Sequence, residues 1–211
     1  MQSLVICDGY NHPARMLREG LGPLQKSGFS FDYLENAAEL SAERMVCYPL
    51  VILAKTNNIS STNRNGWMTE SIQAAFVDYV QRGNGLLAVH SGTAGWAEMP
   101  ILRGLLGGVF DHHPPKCRVA VAPRPGHPLT AGCKAFTLRD EHFFMTLDDP
   151  QANVFLTTKS EHGEQPGGWR RIQGAGRVCV LTPGHYVETW LHPSFQALLS
   201  NVLEWCGNLK T

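Results

Sequence analysis

Four uninterrupted apolar runs, each closing on polar or glycine-bearing residues, constrain this chain more than any other feature. Ser3 to Cys7 (SLVIC) ends at Asp8-Gly9, and Leu50 to Ala54 (LVILA) opens into the polar loop Lys55 to Gly66. Leu86 to Val89 (LLAV) lands on His90-Ser91-Gly92, and Arg177 to Leu181 ends on Thr182-Pro183-Gly184-His185. A strand covered on one face alternates apolar and polar residues. A short continuous run implies cover on both faces, as in a parallel sheet. Helical spacing separates the runs. Met16, Leu17, Leu21 and Leu24 follow Pro13; Ile72, Ala75, Phe76, Tyr79 and Val80 lie within Trp67 to Gln81, which Gly83 stops. Phe195, Leu198, Leu199, Val202 and Leu203 share one face of Pro193 to Trp205. With Phe29 to Leu34 as a second strand, the pattern predicts a doubly wound α/β fold. The runs at Leu4, Val51, Leu87 and Val178 are expected to be adjacent parallel strands with helices on both faces.

The second half changes character. Arg118 to Ala122, Ala135 to Leu138, Val154 to Thr158 and Trp169 to Ile172 are short, and Pro, Gly and charged turns separate them. They read as short β additions, partly antiparallel. No repeat, low-complexity tract or linker divides the chain, so one domain is expected over residues 1–211.

Charge narrows the function classes. Eighteen Lys and Arg balance eighteen Asp and Glu, so no global field draws nucleic acid or an anionic membrane. The expected partner is a small molecule acting at a local site, with a homodimer the assembly open to the chain. MQSLVICDGY reads as a first strand, not a signal peptide, and no apolar run reaches the roughly 18 residues that cross a bilayer. The six cysteines lie scattered without a CxxC, as buried reduced thiols do. A cytoplasmic location is expected.

Several motif-like segments dissolve on inspection. Gly83-Asn84-Gly85-Leu86-Leu87-Ala88 spells a dinucleotide fingerprint, but it follows a helix and precedes a strand, the reverse of what a pyrophosphate site needs. Ser91 sits at a strand exit, yet Val89-His90-Ser91-Gly92-Thr93 lacks the first glycine of a hydrolase elbow. It reads as a cap or loop residue. His185-Tyr186-Val187-Glu188 has H-x-x-E spacing but is not helical in context.

The histidines carry more. Ligands of open α/β sheets bind beyond the carboxyl ends of the strands. There the chain places Asp8 with Asn11 and His12, then His90-Ser91, then His185. Phe110-Asp111-His112-His113-Pro114 and Asp140-Glu141 are expected in loops folding over the same edge. Such a set can ligate Zn²⁺ or act as general acid and base, and spacing alone does not separate the two.

Gly85-Leu86-Leu87-Ala88-Val89-His90-Ser91 resembles the GGLV-x-IHSA segment of ThuA-like (trehalose-utilisation) proteins. In the same order come Leu106-Gly107-Gly108, His113-Pro114, His127-Pro128-Leu129-Thr130 and Asp140-Glu141. Gly174-Ala175-Gly176-Arg177-Val178 leading to Gly184-His185 resembles a further family segment, and Gly9-Tyr10-Asn11-His12 its amino-terminal loop. The resemblance implies a flavodoxin-like, class I glutamine amidotransferase-like sheet of three layers. True amidotransferases carry a cysteine at the elbow, where this chain has His90 and Ser91; no amidotransferase activity is expected. The family's link is to trehalose and related sugars or their keto forms. The expected catalytic set is His90, His185 and Glu141. Asn11, His12, Ser91, His113 and Tyr186 are expected to bind substrate, and His90, His113 and His185 to hold a divalent metal such as zinc. The competing expectation is a non-catalytic module binding a sugar or a protein in the same cleft.

Overall fold

The computed structural model describes residues 1–150 and 152–208. In chain order the first half contains β1 (Gln2–Ile6), α1 (Ala14–Leu21), β2 (Ser30–Leu34), α2 (Ala42–Met45), β3 (Leu50–Leu53), α3 (Glu70–Gln81) and β4 (Gly85–Val89). Then come α4 (Pro100–Leu106), β5 (Gly108–His112), β6 (Cys117–Pro123), β7 (Phe136–Asp140), β8 (Phe144–Leu147), β9 (Asn153–Ser160) and β10 (Gly163–Gln173). β11 (Gly176–Leu181), α5 (Val187–Leu191) and α6 (Pro193–Cys206) close the chain.

The four apolar runs pair side by side. The main sheet has the order β2-β1-β3-β4-β11-β10-β9-β6-β7, and β2 through β11 in that order are mutually parallel. Side chains alternate between two layers, as a period of two requires. Val5, Cys7, Leu50, Ile52, Leu87, Val89, Cys179 and Leu181 pack with α1 and α6 on one face. Leu4, Ile6, Val51, Leu53, Leu86, Ala88, Val178 and Val180 pack with α3 and α4 on the other. Both faces are dry, which is why the runs show no polar alternation. This is the flavodoxin-like three-layer arrangement.

Four of the later strands do not form a separate layer. β10, β9, β6 and β7 join antiparallel to the edge of the parallel set and extend one nine-stranded sheet. β10 is longer than its apolar core suggests, because a register shift at Pro166 to Trp169 lets it bend while it stays paired with β9. Two elements depart from expectation. Phe110 to His112, expected in a loop, belongs to β5, which pairs antiparallel with β8. The helix expected from Trp67 starts at Glu70, capped by Thr69, whose hydroxyl accepts from the Ile72 amide. Trp67 and Met68 precede it, buried, and the Asn57 side-chain oxygen accepts from both of their amides. Among the described residues no helix is long and apolar enough to cross a membrane.

The exits of β1, β4 and β11 share one edge of the sheet. β6 begins there too, since Cys117 pairs with Asp140 at the end of β7. That edge carries the candidate site.

Candidate functional site

His90 follows β4 directly and adopts a left-handed backbone with φ of 46°, a conformation costly for a residue with a Cβ. The turn is tight because Gly92 lies against the β3 backbone, where a Cβ would collide with the Leu53 carbonyl. Ser91 donates to the Ala54 carbonyl at 2.9 Å, so its hydroxyl is spent locking the turn to the β3 exit. The His90 ring lies with Nδ1 2.8 Å from the Thr182 carbonyl. A carbonyl only accepts, so Nδ1 carries the proton and Nε2 arrives at the site as a lone pair.

His12 closes the turn Gly9–His12, whose ends exchange backbone hydrogen bonds at 3.0 and 3.1 Å. Asp8, at φ 70°, anchors that turn by accepting from the Ala14 and Ser61 amides. His185 and Glu141 are fixed by one residue. The buried Asp140 carboxylate accepts from the Gly184 amide at 3.0 Å, the His185 amide at 2.9 Å, the Thr189 hydroxyl at 2.9 Å and the Glu141 amide at 2.9 Å.

These elements bring His12, His90, Glu141 and His185 together, one ligand atom from each lying within 4.8 Å of all the others. His12 Nε2 is 3.0 Å from His185 Nδ1 and 3.1 Å from His90 Nε2. Glu141 Oε2 is 3.2 Å from His185 Nδ1 and 3.4 Å from His90 Nε2. The cluster is nearly closed to solvent: His12 is 7% and His90 1% exposed. Phe143 stacks on the His90 ring with centroids 4.2 Å apart and walls off one side. Burial, then the neighbouring His90 and His185, pushes His12 down to about 3. For Glu141 burial raises the value, but the His185 and His90 rings beside it, in their protonated forms, favour the carboxylate more and hold it well below its usual range.

The remaining residues named from the sequence spread around this centre. His113 stands at the rim, its Nε2 3.9 Å from Glu141 Oε1 and outside the four-residue cluster. Asn11 and Tyr186 line a groove of about 370 Å³ together with His185 and Glu188. Tyr186 meets the His185 ring edge-on at 4.6 Å. Ser91 turns away from the cleft. Three residues went unread in the sequence: Asp140 as anchor, Thr182 through its carbonyl, and Lys116. Lys116 Nζ lies 3.9 Å from Glu141 Oε1 and 5.1 Å from the centre of the Tyr186 ring. A strand-end acid beside a second acid was the available signal for Asp140; nothing in the sequence marked the other two. No thiol enters the cluster. Cys7, Cys179 and Cys206 are buried in the core, and burial pushes Cys7 up to about 12.

The chain matches the ThuA family, described as trehalose utilisation, over residues 7–206. It belongs to that family. No curated protein matches it in sequence. Its fold is that of a ThuA-like protein from Bacteroides uniformis ATCC 8492, with TM-score 0.75 and 19% identity over 98% of this chain and 91% of that one. The cytoplasmic protein STM3548 from Salmonella typhimurium is similar at TM-score 0.71 and 16% identity, over 98% and 99% of the two chains. A cold-adapted β-galactosidase from Rahnella sp. R3 shares the fold at TM-score 0.67 and 15% identity, over 99% of this chain but 31% of the enzyme. The ThuA chain therefore has the family's sheet with a histidine where the elbow turns.

Proposed function

We propose that this ThuA protein is a cytoplasmic carbohydrate-metabolism protein that holds a divalent cation such as zinc and acts on a sugar or keto-sugar. The observation that carries the reading is the convergence of lone pairs at the His12, His90, His185 and Glu141 cluster. Thr182 takes the His90 Nδ1 proton, so in the neutral ring His90 Nε2 and Glu141 Oε2 meet at 3.4 Å as two acceptors. His12 Nε2 touches two other ring nitrogens and has one proton to offer. No distribution of one proton per neutral ring satisfies every close approach, and burial disfavours extra protons on His12. A cation at the centre resolves all of them.

The donor set fits the group. Three imidazoles and a carboxylate are a borderline-soft, zinc-type set. Donors bound to one zinc at about 2.0–2.1 Å stand about 3.3–3.4 Å apart in a tetrahedron. Four of the six pairs here lie 3.0 to 3.4 Å apart and all lie within 4.8 Å, so a small inward shift of the wider pairs completes the set. Thr182, holding His90 by its far nitrogen, supports the cluster as an outer partner of a metal-ligating histidine does.

A divalent cation there supplies Lewis acidity toward a sugar carbonyl or hydroxyl oxygen. The chain's own groups do the rest. Tyr186 and Asn11 border the groove that reaches His185, the phenol ring offering an apolar face to a pyranose and the amide a hydrogen-bonding edge. His113 and Lys116, both on the solvent side of Glu141 Oε1, are placed to move a proton between that oxygen and a bound sugar. Phe143 keeps water from the His90 face.

The test is metal-dependent turnover of trehalose and of an oxidised keto form of it by untagged protein. Activity that chelator removes and zinc restores supports the reading. Sugar binding without turnover assigns the cleft to a non-catalytic module, and activity indifferent to chelator contradicts the metal.

A further inference from the structure

The motif His127-Pro128-Leu129-Thr130 takes no part in the cleft. β6 starts beside the cluster, where Cys117 pairs with Asp140, and ends six residues later at Pro123. That strand carries the chain about 20 Å away. At its far end Arg124, Pro125 and Gly126 turn the chain into His127, with Gly126 at φ 75° and the Thr130 hydroxyl donating to the Arg124 carbonyl at 2.6 Å.

This loop lines a polar pocket of about 310 Å³ together with Asn153 and Arg170. Three observations give the pocket a sign. First, its lining holds two guanidinium groups and no carboxylate. Arg124 makes no ion pair among the described residues, and Arg170 stacks over the Trp205 ring at 5.1 Å instead of meeting an acid. Secondly, the charges that act on His127 are those same two arginines. Thirdly, His127 Nδ1 accepts from the Leu129 amide at 3.2 Å, which puts the ring proton on Nε2. That Nε2 is buried with no partner inside hydrogen-bond geometry, and the Asn153 side chain, which also lines the pocket, is the group near enough to act on it. Phe155, stacked on the imidazole at 5.4 Å, fixes the ring plane. A buried donor left unmade costs about 1–3 kcal/mol, and two cations facing one hollow repel each other. An anion in the pocket removes both costs.

We propose that the Arg124–His127–Arg170 pocket binds a phosphate-type oxyanion, either free phosphate or the phosphoryl group of a small metabolite. Guanidinium forks match a tetrahedral oxyanion in bidentate fashion, and His127 Nε2 supplies a further neutral donor. The site is separate from the histidine cluster and stands whether or not that cluster holds metal.

The probes are inorganic phosphate and glucose 6-phosphate, titrated calorimetrically at constant ionic strength. Saturable one-to-one binding is expected, with the His127 Nε2–H resonance shifting as ligand is added. Arg124→Gln, on the exposed loop, should weaken binding about tenfold or more, the loss of a charge-assisted contact. Arg124→Gln combined with Arg170→Gln should abolish it, while Arg82→Gln, in an ion pair elsewhere, should not change it. Tighter binding of glucose 6-phosphate assigns a phosphorylated metabolite, and equal binding assigns free phosphate. Absence of saturable binding of either probe overturns the proposal. So does binding that Arg124→Gln leaves intact, a variant whose folding does not depend on the Arg170–Trp205 stack.

Discussion

The Asp140 carboxylate accepts a hydrogen bond from the His185 backbone amide at 2.9 Å, across 45 residues of chain. Its other contacts run to Gly184, Thr189 and its own neighbour Glu141. One buried acid thereby sets the spacing between two members of the cluster that come from different strands. Asp140 itself points no atom into the cluster; it positions those that do.

Asp140→Asn should accordingly damage the site more than the surface. An amide presents a donor where the carboxylate presents acceptors, so at least one of the bound amides loses its partner. Hydrogen bonds to a buried charge contribute about 1.5–3 kcal/mol each, so thermal unfolding should fall by several degrees. Metal affinity should drop about 10–100-fold, as for other outer partners of a metal site. Thermal melts and competitive zinc titration of the variant check both. An unchanged affinity would remove Asp140 from the account.

Acid should destabilise the metal-free protein through His12. Its folded value of about 3 lies below the 6.5 of an unperturbed histidine, so between those values the unfolded chain binds the proton and the folded chain does not. The stabilisation is complete above pH 6.5 and is lost as pH falls toward 3, with a slope of up to about 1.4 kcal/mol per pH unit from this one group. Urea unfolding at pH 7 and pH 5 should show the wild type losing stability faster than His12→Gln. Parallel loss in the two proteins would contradict the burial argument.

Thiol chemistry should be absent. The elbow carries His90 and Ser91, and the nearest core thiols are buried. Incubation with glutamine should release no glutamate, before or after alkylation. Release abolished by alkylating Cys7, Cys117 or Cys179 would show that a thiolate reaches substrate.

The parallel half of the fold was legible because the physics is local. Leu4 to Cys7 and Leu50 to Leu53 are covered on both faces, so burial is written as unbroken apolar residues. β5 was not legible: Gly108 to His112 is buried at one end and exposed at the other, and its partner Phe144 to Leu147 lies far along the chain. The site divides in the same way. His90 and His185 follow buried strands, so strand ends located them. Whether His12 or His113 joins the His90 and His185 rings depends on how two loops close. Only the hydrogen-bonded turn from Gly9 to His12 decides that, leaving His113 at the rim. The division of labour between Asp140 and Glu141 comes from one step of chain at a strand end, which turns the first acid toward the His185 loop and the second toward the rings.

Elemental analysis of untagged protein, purified without chelator, tests the metal reading most directly. The account predicts about one equivalent of a divalent transition ion, zinc above all, per chain. His12→Ala and His90→Ala should each lose it, while His113→Ala should keep it. Binding should also weaken below about pH 6, because imidazoles must shed protons to ligate. A protein that carries no metal and takes up none when zinc is supplied, or one whose stoichiometry survives loss of both His12 and His90, would contradict the account.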